Sequence, residues 1–385
     1  MKTLIELYDE RPLENILATE VFRPERTVFL ASPEVAENEA LIAAMRAFLE
    51  GRGIGSRLLV QKVDMNDPQA VAEALQAIQE RYEDCALDIC GGTDAALFAG
   101  GLFAAGHELP VFTYSRRKGR FFNLQGAPYA EVDTGFVRFS VEDFLRMAGG
   151  SMRRGRVDNG ILSRYMWMME PFFSVFLAGR KNWNQTVGYM QAASQGEESL
   201  TVEAKPELKA GRERVRANPE TLEGLKQIGL INGLSLGDTV RFTFADKQIR
   251  AWLRDVGSVL ELYIYKTCLD TGLFNDVRTS VVVDWAGQQE QDGVSNEIDV
   301  MASRGLTPFF ISCKTSEIKT EALNELAVLR DRFGGEMARA AIVTAENANA
   351  AVRNRAAELR IGVIDLADLT AGAAGERINE MILGI

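Results

Sequence analysis

The sequence predicts an α/β fold in three parts, and two patterns carry that reading. Through the first 150 residues, short apolar runs rich in β-branched and aromatic residues alternate with segments of helical period. Such alternation implies a parallel sheet covered by helices on its faces. From residue 249 the order is helix, three strands, helix, strand, helix, strand, a second α/β unit. The parts are therefore 1–150, Rossmann-like; 151–248, a helical, winged-helix-like connector; and 249–385, the second α/β part.

The elements follow in order. RTVFLASP (26–33) is a buried strand, and ENEALIAAMRAFLEGRG has helical spacing with a glycine stop. RLLVQKVD (57–64) is the second strand. The helix of 67–82 opens on Asp67 with Pro68 at the first helical position, where a missing N–H leaves no bond unmade. CALDICGG (85–92) is a strand and TDAALFAGGLFAAG (93–106) a helix. LPVFTYSRRKGRFFNL (109–124) is a strand, a turn near Gly119 and a returning strand. SMRRGRVDNG, with Arg153, Arg154 and Arg156, reads as a basic, Gly-rich linker. The apolar segment 161–193 reads as a core or dimer-packing helix. TLEGLKQIGLI and DTVRFTFADKQIRAW read as a helix followed by a β-wing.

Composition bounds the function. Hydrophobic residues make up 46% and charged residues 25%, as in an ordinary soluble protein. No apolar run is long enough to span a bilayer, and MKTLIELYDERPLEN is acidic without a signal-peptide core. Four cysteines (Cys85, Cys90, Cys268, Cys313) lack metal-ligand spacing and fit a reducing cytoplasm. The single histidine, His107, excludes a His dyad within one chain. The net charge of −11 argues against broad coating of nucleic acid, which needs excess Lys and Arg. It leaves room for an acidic cleft that holds metal.

NEIDVMASRGLTPFFISCKT (296–315) reads as a β-hairpin. Period 2 puts Glu297, Asp299 and Met301 on one face of its first strand, and Ile298 and Val300 on the other. On the second strand Phe310, Ser312 and Lys314 share a face. The return at Ser303-Arg304-Gly305 allows Asp299 to lie near Ser312 and Lys314. A hard divalent ion, Mg2+ or Mn2+, is one reason for two carboxylates and an ammonium to converge. It polarises a scissile phosphate and activates a water, while the lysine orients that water or neutralises charge in the transition state. From these residues alone, a hairpin with a solvated polar face is the plain alternative.

Set in its order of elements, the hairpin resembles the restriction-endonuclease-like PD-(D/E)XK core over residues 249–370. The resemblance implies a metal-dependent endonuclease with Asp299 and Lys314 catalytic and Glu261, in SVLELY, joining from the preceding helix. The family's Glu-X-Lys is here Ser312-Cys313-Lys314. The resemblance then implies metal ligands Glu261, Glu297 and Asp299, with Glu297 or Glu261 replacing the carboxylate absent at Ser312.

In the first part, Gly91-Gly92-Thr93, followed by Asp94, turns from a strand into a helix, where backbone N–H groups hold a phosphate or ribose. A tight strand–helix joint is the plain alternative. No GxGxxG and no Walker lysine is present. With Ser32 ending the first strand, the arrangement resembles the CARF domain of type III CRISPR ancillary proteins. That family's turn commonly ends in a basic residue, where Asp94 stands here. Together the two halves resemble the DUF1887-type CRISPR ancillary nucleases. The resemblance implies a homodimer that binds cyclic tetra-adenylate through Ser32, Gly91, Gly92, Thr93 and Asp94, then cuts DNA and/or RNA with Mn2+ or Mg2+. Two further readings stay open. One is a cyclic-oligoadenylate-sensing regulator with an inactive nuclease-like domain, favoured by Ser312. The other is a ring nuclease that degrades the messenger.

Overall fold

The computed structural model describes residues 1–153, 159–194, 199–285 and 295–384. The first six strands are β1 (Thr3–Leu7), β2 (Arg26–Ala31), β3 (Arg57–Lys62), β4 (Cys85–Asp88), β5 (Val111–Ser115) and β6 (Arg120–Gln125). They form one sheet in the order β3-β2-β1-β4-β5-β6, parallel except for β6. The strand order reverses between β1 and β4, and such a reversal opens a crevice at the C-terminal ends of those strands. Asp67 caps its helix as expected, accepting from the N–H groups of Gln69 and Ala70 at 2.9 and 3.4 Å.

The strand at the centre of this sheet, β1, is missing from the sequence reading. Its LIEL run carries Glu6 and passes for an acidic tail. Yet all five residues are buried, Glu6 to 2% exposure. Glu6 lies opposite Asp88 of β4, itself 1% exposed, and each keeps one carboxyl oxygen without a hydrogen-bond partner. Burial and the neighbouring Asp88 hold Glu6 well above the carboxylate range, and burial pushes Asp88 up to about 7. Unfolded carboxyls titrate at roughly 4. The native chain therefore holds extra protons above that pH, and the stability they bring is lost as pH rises through the folded value. Glu6→Gln keeps the shape, removes a charge and gives Asp88 a donor. Melting temperature should drop between about pH 6 and about pH 8 in the wild type and drop less in the variant. Equal drops in thermal melts would show that the pair does not titrate there.

Residues 151–153, expected to begin a linker, instead form β7 (Ser151–Arg153), which pairs with a strand of the second sheet. Arg154 and Arg156 lie outside the described residues. The apolar segment forms helices Met166–Gly179 and Trp183–Ala193, whose Phe172, Phe176, Trp183 and Tyr189 are buried. Next come β8 (Thr201–Ala204), the hairpin β9 (Glu207–Ala210) and β10 (Glu213–Arg216), helix Pro219–Gln227, and the wing strands β11 (Ile231–Ser235) and β12 (Val240–Phe244). A three-stranded sheet β11-β12-β8 results; the β9–β10 hairpin is a feature the sequence reading lacks.

The second large sheet contains β13 (Asp276–Asp284), β14 (Ser295–Arg304), β15 (Thr307–Lys314), β16 (Arg339–Thr344) and β17 (Ile361–Ile364), in the order β17-β16-β15-β14-β13-β7. Helices Ser258–Asp270 and Thr320–Gly334 cover its opposite faces, so Phe309, Ile311 and Cys313 pack with the first and Phe310 with the second. One core is common to both large sheets: Leu4, Phe29 and Phe112 share a buried cluster with Val281, Phe310 and Leu323. Hydrogen bonds stitch the seam. Phe139 N–H donates to the Gly305 carbonyl (3.2 Å), Asn275 Nδ2 to the Phe139 carbonyl (2.8 Å), and Val141 N–H to Asp276 Oδ2 (3.0 Å). Among the described residues, no helix is long and apolar enough to cross a membrane.

Candidate functional site

Asp299 stands where β14 and β15 part. Their ladder runs from Arg304↔Thr307 to Val300↔Ile311, and beyond it the Asp299 carboxylate takes over as acceptor. Its Oδ2 accepts the Cys313 N–H at 2.6 Å and the Ser312 hydroxyl at 3.1 Å. Lys314 Nζ lies 3.7 Å from the same oxygen. Asp299, Ser312 and Lys314 thus meet at one atom. Ser312 acts here as a donor that orients the acid; a carboxylate in its place would bring a like charge to that atom.

On the other side, Thr279 Oγ1 donates to the Asp299 carbonyl at 2.9 Å. Its neighbour Ser280 has φ 52°, a left-handed conformation that strains a residue with a Cβ. The Ser280 hydroxyl donates to Glu261 Oε2 at 3.5 Å. Here the period-2 reading fails. Ile298 joins the core shared by the two sheets, and Val300 joins the core beneath helix Ser258–Asp270, although both were expected on one face. Ser280 is a site residue the sequence concealed, because no pattern of residue types marks a left-handed serine within a strand.

Glu261 lies in the first turn of helix Ser258–Asp270 and folds back over Gly257; a Cβ at Gly257 would come within 2.7 Å of Glu261 Oε1. Burial, then the charges of Asp299, Asp255 and Glu297, push its carboxyl up to about 8 against the opposing pull of Lys314. Glu297 is exposed and adds its charge from the rim. Asp299, Glu261 and the Ser312 hydroxyl are hard oxygen donors, and the charges of Asp299, Asp255 and Glu297 add to the burial that raises the Glu261 carboxyl. That set fits Mg2+ or Mn2+. Among the described residues, no three His, Cys, Asp or Glu side chains are grouped to hold a metal ion, so Glu261, Glu297 and Asp299 do not stand together as a three-carboxylate set. An ion held by two carboxylates leaves coordination places for water and substrate.

At the C-terminal end of β2, Ser32 caps a short helix, its Oγ accepting from Val35 N–H at 3.5 Å. Thr93 caps helix Asp94–His107, accepting from Ala96 N–H at 3.2 Å and donating to the Met65 carbonyl. Asp94 is exposed in the first turn of that helix. Gly91 is buried against Asp9, and Gly92 has φ 106°; a Cβ on Gly92 would lie 2.7 Å from Leu7 Cβ. The Gly92 N–H already has a partner, Asp9 Oδ2 at 2.9 Å. Arg11 grips the same carboxylate: its backbone N–H and Nε donate to Oδ1 and its Nη2 to Oδ2, each at 2.8 Å. Against the effect of burial, the bonds from Arg11 and Gly92 hold the Asp9 carboxyl below its ordinary range. The sequence reading lacks both Asp9 and Arg11. Their signal, YDER directly after β1, is legible only once β1 is recognised as a strand.

Comparison with known proteins bears on the fold and on the C-terminal region. Residues 247–374 match the family model described as Card1-like, endonuclease domain. Protein VC1899 from Vibrio cholerae superposes with a TM-score of 0.77 at 18% identity, over 98% of this chain and 97% of that one. Can2 from Sulfobacillus thermosulfidooxidans, solved in complex with cyclic tetra-adenylate, superposes with a TM-score of 0.69 at 17% identity, over 99% and 97%. No curated protein sequence gives a match. The whole chain thus has the fold of these two proteins, and its C-terminal region, residues 247–374, matches the Card1-like endonuclease domain model.

Proposed function

We propose that this chain is a Mn2+- or Mg2+-dependent nuclease, switched on by cyclic tetra-adenylate in type III CRISPR antiviral defence, that cuts DNA and/or RNA. The convergence of Ser312, Cys313 and Lys314 on Asp299 Oδ2 carries the nuclease reading, within a region that matches an endonuclease model. The ligand reading rests on the crevice between β1 and β4 and on the whole-chain likeness to Can2. A bound divalent ion supplies Lewis acidity toward the scissile phosphate. Lys314 sets positive charge beside the reacting oxygens, and Ser312 and Cys313 fix the orientation of Asp299. A bound ion would favour the ionised Glu261 carboxyl, against the burial that favours its neutral form.

Incubating labelled single-stranded DNA, plasmid and RNA with the protein, with and without cyclic tetra-adenylate and Mn2+, tests this reading. Cleavage that needs both additions supports it. Ligand binding without cleavage supports the sensing regulator instead, the reading that Ser312 favours. Within the nuclease reading, Mn2+ should support more activity than Mg2+, which dehydrates reluctantly. Glu261→Gln should cut more slowly by about tenfold or more at limiting Mn2+ and recover in part at saturation. If Glu261→Gln and Glu297→Gln both match the wild type across a metal titration, neither replaces the carboxylate absent at Ser312.

The active form in this reading is a homodimer. Phe98 and Leu102, 65% and 61% exposed, lie one turn apart on helix Asp94–His107, directly after the Gly91-Gly92-Thr93 turn. A second copy seated on that face would bring two such turns together. Phe98→Glu should yield monomers in light scattering, whereas an unchanged dimer mass would place the contact elsewhere.

A further inference from the structure

Arg11 serves two partners at once. While it holds Asp9, its Nη1 lies 3.6 Å from Glu336 Oε1, in the turn Gly335–Met337 that follows helix Thr320–Gly334 of the endonuclease region. Glu336 also pairs with Arg116, which leaves β5, and Arg116 pairs with Glu14 in the helix after β1. These charges border a cavity of about 200 Å3 between the two halves, lined in part by Arg332, Phe144 and Phe333. A chain of one hydrogen bond and two ion pairs therefore runs from the Gly92 N–H, through Asp9 and Arg11, to Glu336 of the endonuclease region.

We propose that Arg11 is the residue that pairs with the ligand's phosphate, and that Asp9 and Glu336 hold it in reserve while the ligand is absent. The proposal rests on the sensor reading above and supplies its regulation. A carboxylate oxygen and a phosphodiester oxygen are equivalent acceptors for an amide N–H and for a guanidinium fork. Asp9 and a ligand phosphate therefore compete for the same donors, Gly92 N–H and Arg11. A phosphate entering the crevice displaces the Asp9 carboxylate, and Arg11 turns from Glu336 to the anion. The two ends of the network differ in the way such an exchange needs. Glu336 is 64% exposed and its contact with Arg11 is long, so this pair is weak and easily broken. Glu14 is 7% exposed and anchors Arg116 in place. Once released, Glu336 leaves the endonuclease turn held to the first half by Arg116 alone within this network.

Linkage makes the test a binding measurement, independent of cleavage. If Glu336 competes with the ligand for Arg11, removing its charge must tighten ligand binding. Calorimetric titration of cyclic tetra-adenylate into the full-length protein should give Glu336→Gln a Kd roughly 3- to 10-fold lower than the wild type. Arg11→Gln should bind at least about tenfold more weakly, and Arg11→Lys, which keeps the charge but loses the fork, should fall between. Melting curves that match the wild type confirm that the variants are folded; Glu336→Gln alters an exposed side chain and provides the arm least exposed to misfolding. Unchanged or weaker binding by Glu336→Gln, or unchanged binding by Arg11→Gln, overturns the role of Arg11. A wild-type protein that does not bind cyclic tetra-adenylate overturns the sensor reading itself.

Discussion

Asp299→Ala should abolish cleavage while leaving ligand binding and assembly intact. The carboxylate is the common acceptor for Cys313 N–H and the Ser312 hydroxyl and the partner of Lys314. Without it, two donors and an ammonium lose their shared partner, and an ion would be left with Glu261 alone. A rate loss of at least about 10^3 is expected, equivalent to about 4 kcal/mol of transition-state stabilisation. The unpaired Cys313 N–H also lowers stability by about 1–3 kcal/mol, so the melting temperature must be followed alongside activity. Asp299→Asn separates the two effects, because its amide oxygen still accepts a hydrogen bond while the charge is gone. It should melt like the wild type and remain inactive. Cleavage at the wild-type rate by either variant, measured on a labelled oligonucleotide with saturating Mn2+ and activator, would remove Asp299 from the mechanism.

Gly92→Val should have the second large effect, at the opposite end of the chain's chemistry. The position has φ 106°, where a β-branched residue is strained by about 1–3 kcal/mol, and an added Cβ meets Leu7 Cβ at 2.7 Å. The turn must shift, carrying with it the N–H that now bonds Asp9 and the N-terminus of helix Asp94–His107. Affinity for cyclic tetra-adenylate should fall by about a hundredfold or more, a binding loss near 3 kcal/mol, and the activator concentration for half-maximal cleavage should rise in step. Calorimetry reads the first and a cleavage titration the second. Wild-type affinity in a folded Gly92→Val protein would place the ligand away from this turn.

What the sequence disclosed follows from the range of the forces involved. The Asp67-Pro68 helix start, the turn near Gly119 and the hairpin return near Gly305 are local, set by a few neighbouring residues, and the structure has all three. The α/β class follows from alternation on the same short scale. β1 escaped because a buried acid interrupts its apolar run, and only the facing Asp88, far along the chain, gives Glu6 its setting. β7 escaped because it is only three residues long and its pairing with β13 is remote in sequence. At the site, the hairpin return foretold that Asp299 would lie near Ser312 and Lys314, though strict alternation breaks between Ile298 and Val300. It could not foresee that Ser312 and Cys313 would both donate to Asp299, or that Ser280 would turn left-handed beside them. Asp9 and Arg11 share the fate of β1, since a loop is only as legible as the strand before it.

The core that joins Leu4 and Phe112 to Val281 and Phe310 has a consequence for ancestry. Two halves divided by a thin, wet seam can be recombined like cassettes, each keeping its own surface. Here an exchange of either half would leave Phe139 and Phe144, or Ile298 and Phe310, facing a stranger's side chains across a shared buried core. A new partner half would have to match that relief residue by residue, and would also have to accept β7 as the edge strand of its sheet. Inheritance of this architecture is therefore expected to be wholesale, with novelty entering by substitution at the rim of the crevice and around the hairpin rather than by shuffling of whole units.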